Sequence, residues 1–395
     1  MTKKRKRLNK KEAKALGLTP KKNDKGRNTA RYYITESDYN TILESRNNGI
    51  LKAHEEHGVE HQNSKFLWLK NKNSSIPIQN PFYVEKEEKE FNELIDRLDK
   101  RLNSVIKKSV KRCKIKPKKI KSDYLFDLSV YTDTHIGMEV NANGYSLYGG
   151  KWDEKELNKR NQTFLENTLT NKKSNKLIIF DLGDLMDGWN GETVRKGHDL
   201  PQNMTNEEAF DIALNFKMKQ ADYLAPHYED ITFININDDN HSGSFGYVVN
   251  SSFKKFVEQK YDHIKVINQR KFIDHYKFGN KVFVSTHGKD SKNLQYGFKP
   301  LLNAQQVEKI ENYLFEHNLI DTNLEIYFIK GDSHQDVFDN TTSQKFRYWN
   351  FPAMSPSSNW VQTNFKKGIS GFYTFNFEQN SYHIHPYYFK WINHG

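Results

Sequence analysis

The chain has 395 residues, 36% of them hydrophobic and 13% aromatic, a net charge of +12 and a single cysteine, Cys113. No window reaches the ~18–20 apolar residues that span a bilayer, the basic N-terminus lacks the apolar core of a signal peptide, and one cysteine excludes an intrachain disulfide and a thiolate-based zinc site. A cytoplasmic, membrane-free protein with a core built from large rings is expected.

The charge is unevenly spread. Residues 1–30 hold 12 Lys/Arg against Glu12 and Asp24, and residues 101–122 hold ten and no acid. Such runs attract polyanions, chiefly nucleic acid, through phosphate contacts and counterion release; the alternative is a solvated tail. Residues 1–50 are read as a basic N-terminal region. Asn9–Thr19 predicts a short helix ending near Gly17, and Thr35 with Asp38 resembles a capping box before Tyr39, Ile42 and Leu43. Together these resemble a small helix-turn-helix-like DNA-binding unit, or else a helical surface decoration.

Residues 51–122 form an accessory region. It opens on a polar, turn-rich segment with an aromatic patch at Phe66, Leu67, Trp68 and Leu69. Phe91, Leu94, Ile95, Leu98, Leu102 and Ile106 recur every three or four residues, which predicts an amphipathic helix over 84–110. The basic run 107–121 follows, broken by Pro117. It reads as a linker or as a nucleic-acid contact.

From residue 123 to 395 the texture is that of a layered α/β domain. Apolar runs at Leu125–Tyr131, Leu177–Leu182, Ile231–Ile236, Val282–Ser285 and Ile326–Ile329 predict strands. Helical stretches at 153–169, 206–224, 251–260 and 304–317 lie between them, and Gly371–Phe377 with Tyr382–Phe389 predicts a terminal hairpin. Each of the five strands runs into a polar cluster: Asp133-Thr134-His135, Gly183-Asp184-Leu185-Met186-Asp187, Asp239-Asn240-His241, Thr286-His287-Gly288, and Gly331-Asp332-Ser333-His334. Loops at the carboxyl ends of strands are where α/β sheets bind ligands. Carboxylate, amide oxygen and imidazole suit zinc, manganese or iron, and a bridging carboxylate can hold two ions ~3.5–4 Å apart for phosphoryl chemistry.

The order DxH, GDxxD, NH, H, GxxH, spread over roughly residues 124–390, resembles the calcineurin-like metallophosphoesterases, and the basic start of the chain resembles phage-type members of that superfamily. The resemblance implies a β-sandwich flanked by helices, with a small helical, basic N-terminal region added. It implies two divalent ions, with Asp133, His135 and His334 on the first, Asp184 bridging, Asn240 and His287 on the second, and His241 as general acid. Three departures stand out. Asp332 replaces a histidine of the family pattern, and as a carboxylate ligand it favours a harder ion such as Mn²⁺ over Zn²⁺ or Fe. Asp239 replaces a glycine. Ser242 replaces the acid that would orient His241. Asp187 reads as a helix cap, a hydrogen-bond partner or a ligand. Arg195 and Lys289 are candidate substrate contacts, and Trp349, Phe351, Trp360 and Phe365 either stack bases or pack the end of the sheet.

The expected activity is therefore metal-dependent phosphoester hydrolysis, as a phosphodiesterase or nuclease with nucleic acid as partner. The alternatives are a phosphomonoesterase, or a nucleic-acid-binding protein with a degenerate metal site. The oligomeric state is open.

Overall fold

The computed structural model describes residues 111–140, 151–193, 200–237, 239–288, 300–320, 323–357 and 368–389, the helical Arg97 and Lys100, and the backbone of four N-terminal strands. The chain divides into two units, Met1–Leu98 and Asp99–Gly395. In the first, β1 (Arg5–Leu8) pairs antiparallel with β2 (Tyr32–Thr35), and β3 (Phe66–Asn71) with β4 (Ser74–Gln79). β1 and β2 flank the spans where helices were expected, and β3 carries the aromatic patch of the accessory region, in a strand pair not named from the sequence. Tyr32, Tyr33, Ile34 and the run Phe66 to Leu69 are strong strand formers. The helices expected over Asn9–Thr19 and after Thr35 lie outside the described residues.

The second unit carries two mixed sheets and, among the described residues, four helices. The larger sheet is built on four parallel strands, β5 (Phe126–Tyr131), β6 (Lys176–Asp181), β7 (Asp230–Ile236) and β8 (Ile264–Gln269). On the β5 edge, β14 (Gly371–Phe377) and β15 (Tyr382–Tyr388) add the expected hairpin. The smaller sheet runs β12 (Val337–Asp339), β13 (Arg347–Asn350), β11 (Glu325–Lys330), β10 (Lys281–Ser285) and β9 (Asp274–Phe278), with β13, β11 and β10 parallel. Four helices complete the unit: α1 (Glu154–Thr170), α2 (Asn206–Leu224), α3 (Gly243–Lys260) and α4 (Ala304–Glu316).

Period-2 alternation decides the layering. On β5 and β6, Phe126, Leu128, Val130, Ile178 and Phe180 face the second sheet and meet Phe283, Tyr327, Ile329 and Trp349 in one buried cluster. Leu177, Ile179, Ile231 and Phe233 face the other way, onto Phe164, Phe216 and Phe253 of α1–α3. The outer face of the smaller sheet, Val282, Val284 and Phe328, packs on Ile310 and Leu314 of α4. Trp349 and Phe351 are fully buried between the sheets, Trp349 stacked on Phe375 at 5.1 Å, so base stacking by these two rings is ruled out and the packing role holds. Trp360 and Phe365 lie outside the described residues. No described helix is long and apolar enough to cross a membrane.

Beneath the carboxyl end of β6, Lys217 of α2 is buried and pairs with Asp181, and it also donates to Asn235 Oδ1 at 2.8 Å. Burial pushes the Asp181 carboxyl up and the Lys217 amine down. Removing one partner strands the other charge in the interior. Lys217→Met is expected to lower stability by about 3–5 kcal/mol in urea unfolding, and adding Asp181→Asn is expected to recover part of that loss.

Candidate metal centre

The loops after β5 and β6 are zipped together by main-chain bonds: Asp133 N–H to Gly183 O at 3.0 Å, His135 N–H to Asp184 O at 2.9 Å and Ile136 N–H to Leu185 O at 3.0 Å. The loops after β10 and β11 are joined likewise, Gly331 N–H to His287 O at 3.0 Å. Of the seven non-glycine residues described with positive φ, five are Asp133, His135, Asp184, Asp332 and His334. Left-handed backbone costs roughly 1 kcal/mol or more per residue outside glycine, and it gathers where a site dictates the geometry. At Gly331 even a methyl group is excluded, because a Cβ would stand 2.7 Å from Asp133 Oδ2 and closer still to Thr132 Oγ1.

Each carboxylate is held by one oxygen and presents the other. Asp133 Oδ2 accepts from Thr132 Oγ1 at 2.7 Å and from Asp332 N–H at 3.0 Å, while its buried Oδ1 has no hydrogen-bond partner and faces His334 Nε2 at 3.3 Å. Asp184 Oδ1 accepts from His241 N–H at 3.1 Å, and its Oδ2 lies 3.0 Å from His287 Nε2 and 3.9 Å from both His135 Nε2 and His241 Nε2. The imidazoles are held in the same manner. His287 Nδ1 donates to Leu182 O at 2.9 Å and His135 Nδ1 to Asp187 Oδ1 at 2.9 Å, so in each neutral ring the Nε2 lone pair points inward. His135 Nε2 and His334 Nε2 are 3.3 Å apart, and Asn240 Oδ1 is buried and unpartnered.

Three sets of side chains thus place one ligand atom each within 4.8 Å of the others: Asp133, His135 and His334; Asp133, Asp184 and His287; His135, Asp184 and His241. Buried lone pairs facing carboxylate oxygens repel unless a cation sits among them. The residues present therefore fit a metal ion. The same carboxylates make the pocket attractive to positive charge, whether it arrives as protons on the imidazoles or as a metal ion. Burial opposes charge on His287, yet Asp184 chiefly, with Asp133 and Asp332, raises it to about 10. Burial likewise opposes charge on Asp184, and His287, His241 and His135 hold its carboxyl well below the usual range.

Asp332 lies at the rim of this group, its Oδ1 3.8 Å from His287 Nε2, and burial raises its carboxyl. Asp239, which stands where the family pattern has glycine, caps α3. It accepts from Ser242 N–H at 2.7 Å and Gly243 N–H at 2.8 Å, and its second oxygen accepts from Asp184 N–H at 3.1 Å. Ser242 is turned to Asp239, not to His241. Arg195 and Lys289 lie outside the described residues.

Two neighbours complete the surroundings of the site, Asp187, whose role the sequence leaves open, and Trp189, which the sequence does not single out. Asp187 stands between two rings, bonded to His135 and with Oδ1 3.4 Å from His241 Nδ1. Of the roles open to it, the structure assigns that of hydrogen-bond partner. Its signal was the GDxxD spacing. Trp189, two residues on, has 46% of its surface exposed and meets Phe245 edge-to-face at 4.7 Å, in the first turn of α3 beside His241. A lone exposed tryptophan has no sequence signal.

No family model matches the chain, and no curated protein matches it. Among solved structures it is similar to a single mutant of Vps29 from Entamoeba histolytica, at 11% identity and TM-score 0.28, covering 67% of this chain and 99% of that one. It is similar to a predicted phosphoesterase from Streptococcus pneumoniae, at 9% identity and TM-score 0.29, covering 66% and 88%. It is also similar to the phosphopantetheinyl hydrolase of Mycobacterium tuberculosis, at 9% identity and TM-score 0.27, covering 62% and 94%. At such scores the site has to be read from its own side chains.

Proposed function

We propose that this chain is a metal-dependent phosphoester hydrolase of the calcineurin-like kind, acting on phosphodiesters of nucleic acid. One observation carries the reading: buried carboxylates and imidazoles from five separate strand ends converge, with their ligand atoms grouped within 4.8 Å of one another and several of them without a hydrogen-bond partner. Asp133, His135 and His334 would hold one divalent ion, Asn240, His287 and Asp332 a second, with Asp184 between. The carboxylate at Asp332 favours Mn²⁺. When bound, such ions supply Lewis acidity, neutralising phosphate oxygens and acidifying water.

The chain's own residues do the rest. His241 is the most exposed of the four imidazoles, with 19% of its side chain exposed against 1–7% for the others, so it is the one that meets substrate. Its Nε2 faces the pocket and gives a proton to the leaving oxygen, while Asp187 behind Nδ1 fixes the ring. The exposed Trp189 supports a nucleic-acid substrate, because a base-sized ring can stack there beside the scissile phosphate. Asp239 supports a working site over a degenerate one, since its carboxylate braces α3 and Asp184.

The test is divalent-ion-dependent cleavage of bis-p-nitrophenyl phosphate and of DNA, abolished by chelator. Trp189→Ala is expected to raise KM for an oligonucleotide roughly 5- to 100-fold with kcat little changed, as loss of one stacked base predicts. Hydrolysis of p-nitrophenyl phosphate alone would overturn the diester reading. Silence under every divalent ion would overturn the hydrolase reading.

A further inference from the structure

The basic run expected as a linker or a nucleic-acid contact is packed within the second unit. Cys113 N–H donates to Lys260 O at 2.8 Å, Lys118 N–H to Pro226 O at 3.3 Å, and Ile120 exchanges two bonds with the Asn175 side chain at 2.9 and 2.8 Å. Those partners are the last residue of α3, a residue two beyond α2, and Asn175 in the turn between α1 and β6, so residues 111–121 form a strap across the ends of three helix segments. Ile115 packs against the buried cluster under the larger sheet. Along the strap, exposure alternates: Lys114, Lys116 and Lys118 stand out, while Ile115 and Pro117 are half-buried.

Seven of these eleven residues are cationic, none is acidic, and all seven are exposed. Arg112 pairs with Asp262, and Lys119 with Glu229 at 3.4 Å. Among the described residues, Lys111, Lys114, Lys116, Lys118 and Lys121 have no acidic partner. Lys172 adds a further cation, its ammonium 3.5 Å from Lys118 O. Helix carboxyl ends favour nearby cations, but the strap meets α3 through a main-chain bond from Cys113 to Lys260 O, and its lysine side chains are exposed to solvent. The face is far from the metal centre. It touches the last residue of α3, an 18-residue helix whose first turn abuts His241, so the separation is about 27 Å.

We propose that the strap is a second polyanion-binding face, separate from the catalytic pocket, which holds a nucleic-acid backbone through phosphate contacts of Lys114, Lys116, Lys118 and Lys121. An unpaired row of solvated ammonium groups suits a phosphate row and reads no sequence. A lipid surface is disfavoured, because the apolar residues of the strap turn inward and leave nothing to insert.

The experiment uses the full chain in chelator, so that no turnover intervenes. Binding of a fluorescent 25-base-pair duplex is followed by anisotropy across a salt series. The strap variant changes Lys114, Lys116, Lys118 and Lys121 to Gln. A control of equal charge changes the exposed Lys155, Lys219, Lys277 and Lys345 to Gln. Residues 1–30 are present in both, so any contribution they make cancels. The strap variant should lose about 3–4 from the slope of log affinity against log salt, near 0.9 per phosphate contact, and bind at least tenfold more weakly at 0.1 M salt. The control should keep both within twofold. Equal weakening in the two variants overturns the proposal, as does a strap variant that loses binding to phosphatidylserine vesicles and not to the duplex. Bis-p-nitrophenyl phosphate turnover is measured in parallel on the same proteins without chelator, with Mn²⁺, Zn²⁺ and Mg²⁺ added in turn. Should the chain show none while the strap variant still loses duplex binding, the hydrolase reading fails and the strap stands.

Discussion

Asp184→Asn should abolish hydrolysis while leaving the protein folded. Asp184 sits at φ 49°, a conformation that asparagine tolerates better than other non-glycine residues, so the backbone is kept. The amide oxygen can still accept from His241 N–H, as Asp184 Oδ1 does now at 3.1 Å. What is lost is the second oxygen, 3.0 Å from His287 Nε2 and within 3.9 Å of His135 and His241. An NH₂ group there donates to the His287 lone pair and closes it off. Losing about 4 kcal/mol of charge stabilisation corresponds to roughly a 10³-fold fall in kcat. In chelator the variant should melt somewhat lower than the parent, because it removes the carboxylate that pairs with His287 at 3.0 Å and that the surrounding imidazoles hold in its charged form. Added Mn²⁺ should raise the melting temperature of the parent, because a ligand that binds only the folded chain stabilises it, and should raise that of the variant much less. Equal Mn²⁺ stabilisation of the two proteins, with unchanged turnover, is incompatible with Asp184 as the central ligand.

The strands that carry the site were legible because each is a short apolar run ending in a polar cluster. Phe126–Tyr131, Lys176–Asp181 and Glu325–Lys330 fall within a residue or so of the runs read from the sequence. Ile264–Gln269 and Asp274–Phe278 were not, because they lie at sheet edges with half-exposed, mixed patterns that resemble loops. The start of α3 was hidden for a different reason. Its first turn, Gly243-Ser244-Phe245-Gly246, has poor helix propensity and forms because the Asp239 carboxylate caps it from three residues before Ser242. Motif order brought the candidate ligands together on paper, and the strand ends bring them together in space. What motif order could not supply was the support around them. Asp187 takes its place from two rings that lie 52 residues before it and 54 after it, and the strap takes its place from Ile115 and three helix ends. Both depend on tertiary contacts that no local pattern encodes.

His241→Ala should separate substrates by leaving group. A general acid matters in proportion to the proton demand of the departing oxygen. The p-nitrophenolate anion leaves without a proton, so bis-p-nitrophenyl phosphate should lose no more than about tenfold in kcat. A nucleoside alkoxide cannot leave unprotonated, so DNA cleavage should fall by about 10²–10⁴-fold, the range for a positioned acid. The geometry supports the contrast. His241 reaches the pocket through Nε2, 3.9 Å from Asp184 Oδ2, and is held from behind by Asp187, 3.4 Å from Nδ1. Asp187→Asn should therefore show the same leaving-group pattern in weaker form. It should also lower metal affinity about 10- to 100-fold, because the same carboxylate fixes His135 at 2.9 Å. Equal losses on both substrates in His241→Ala would assign the ring to binding phosphate or metal instead of to proton transfer.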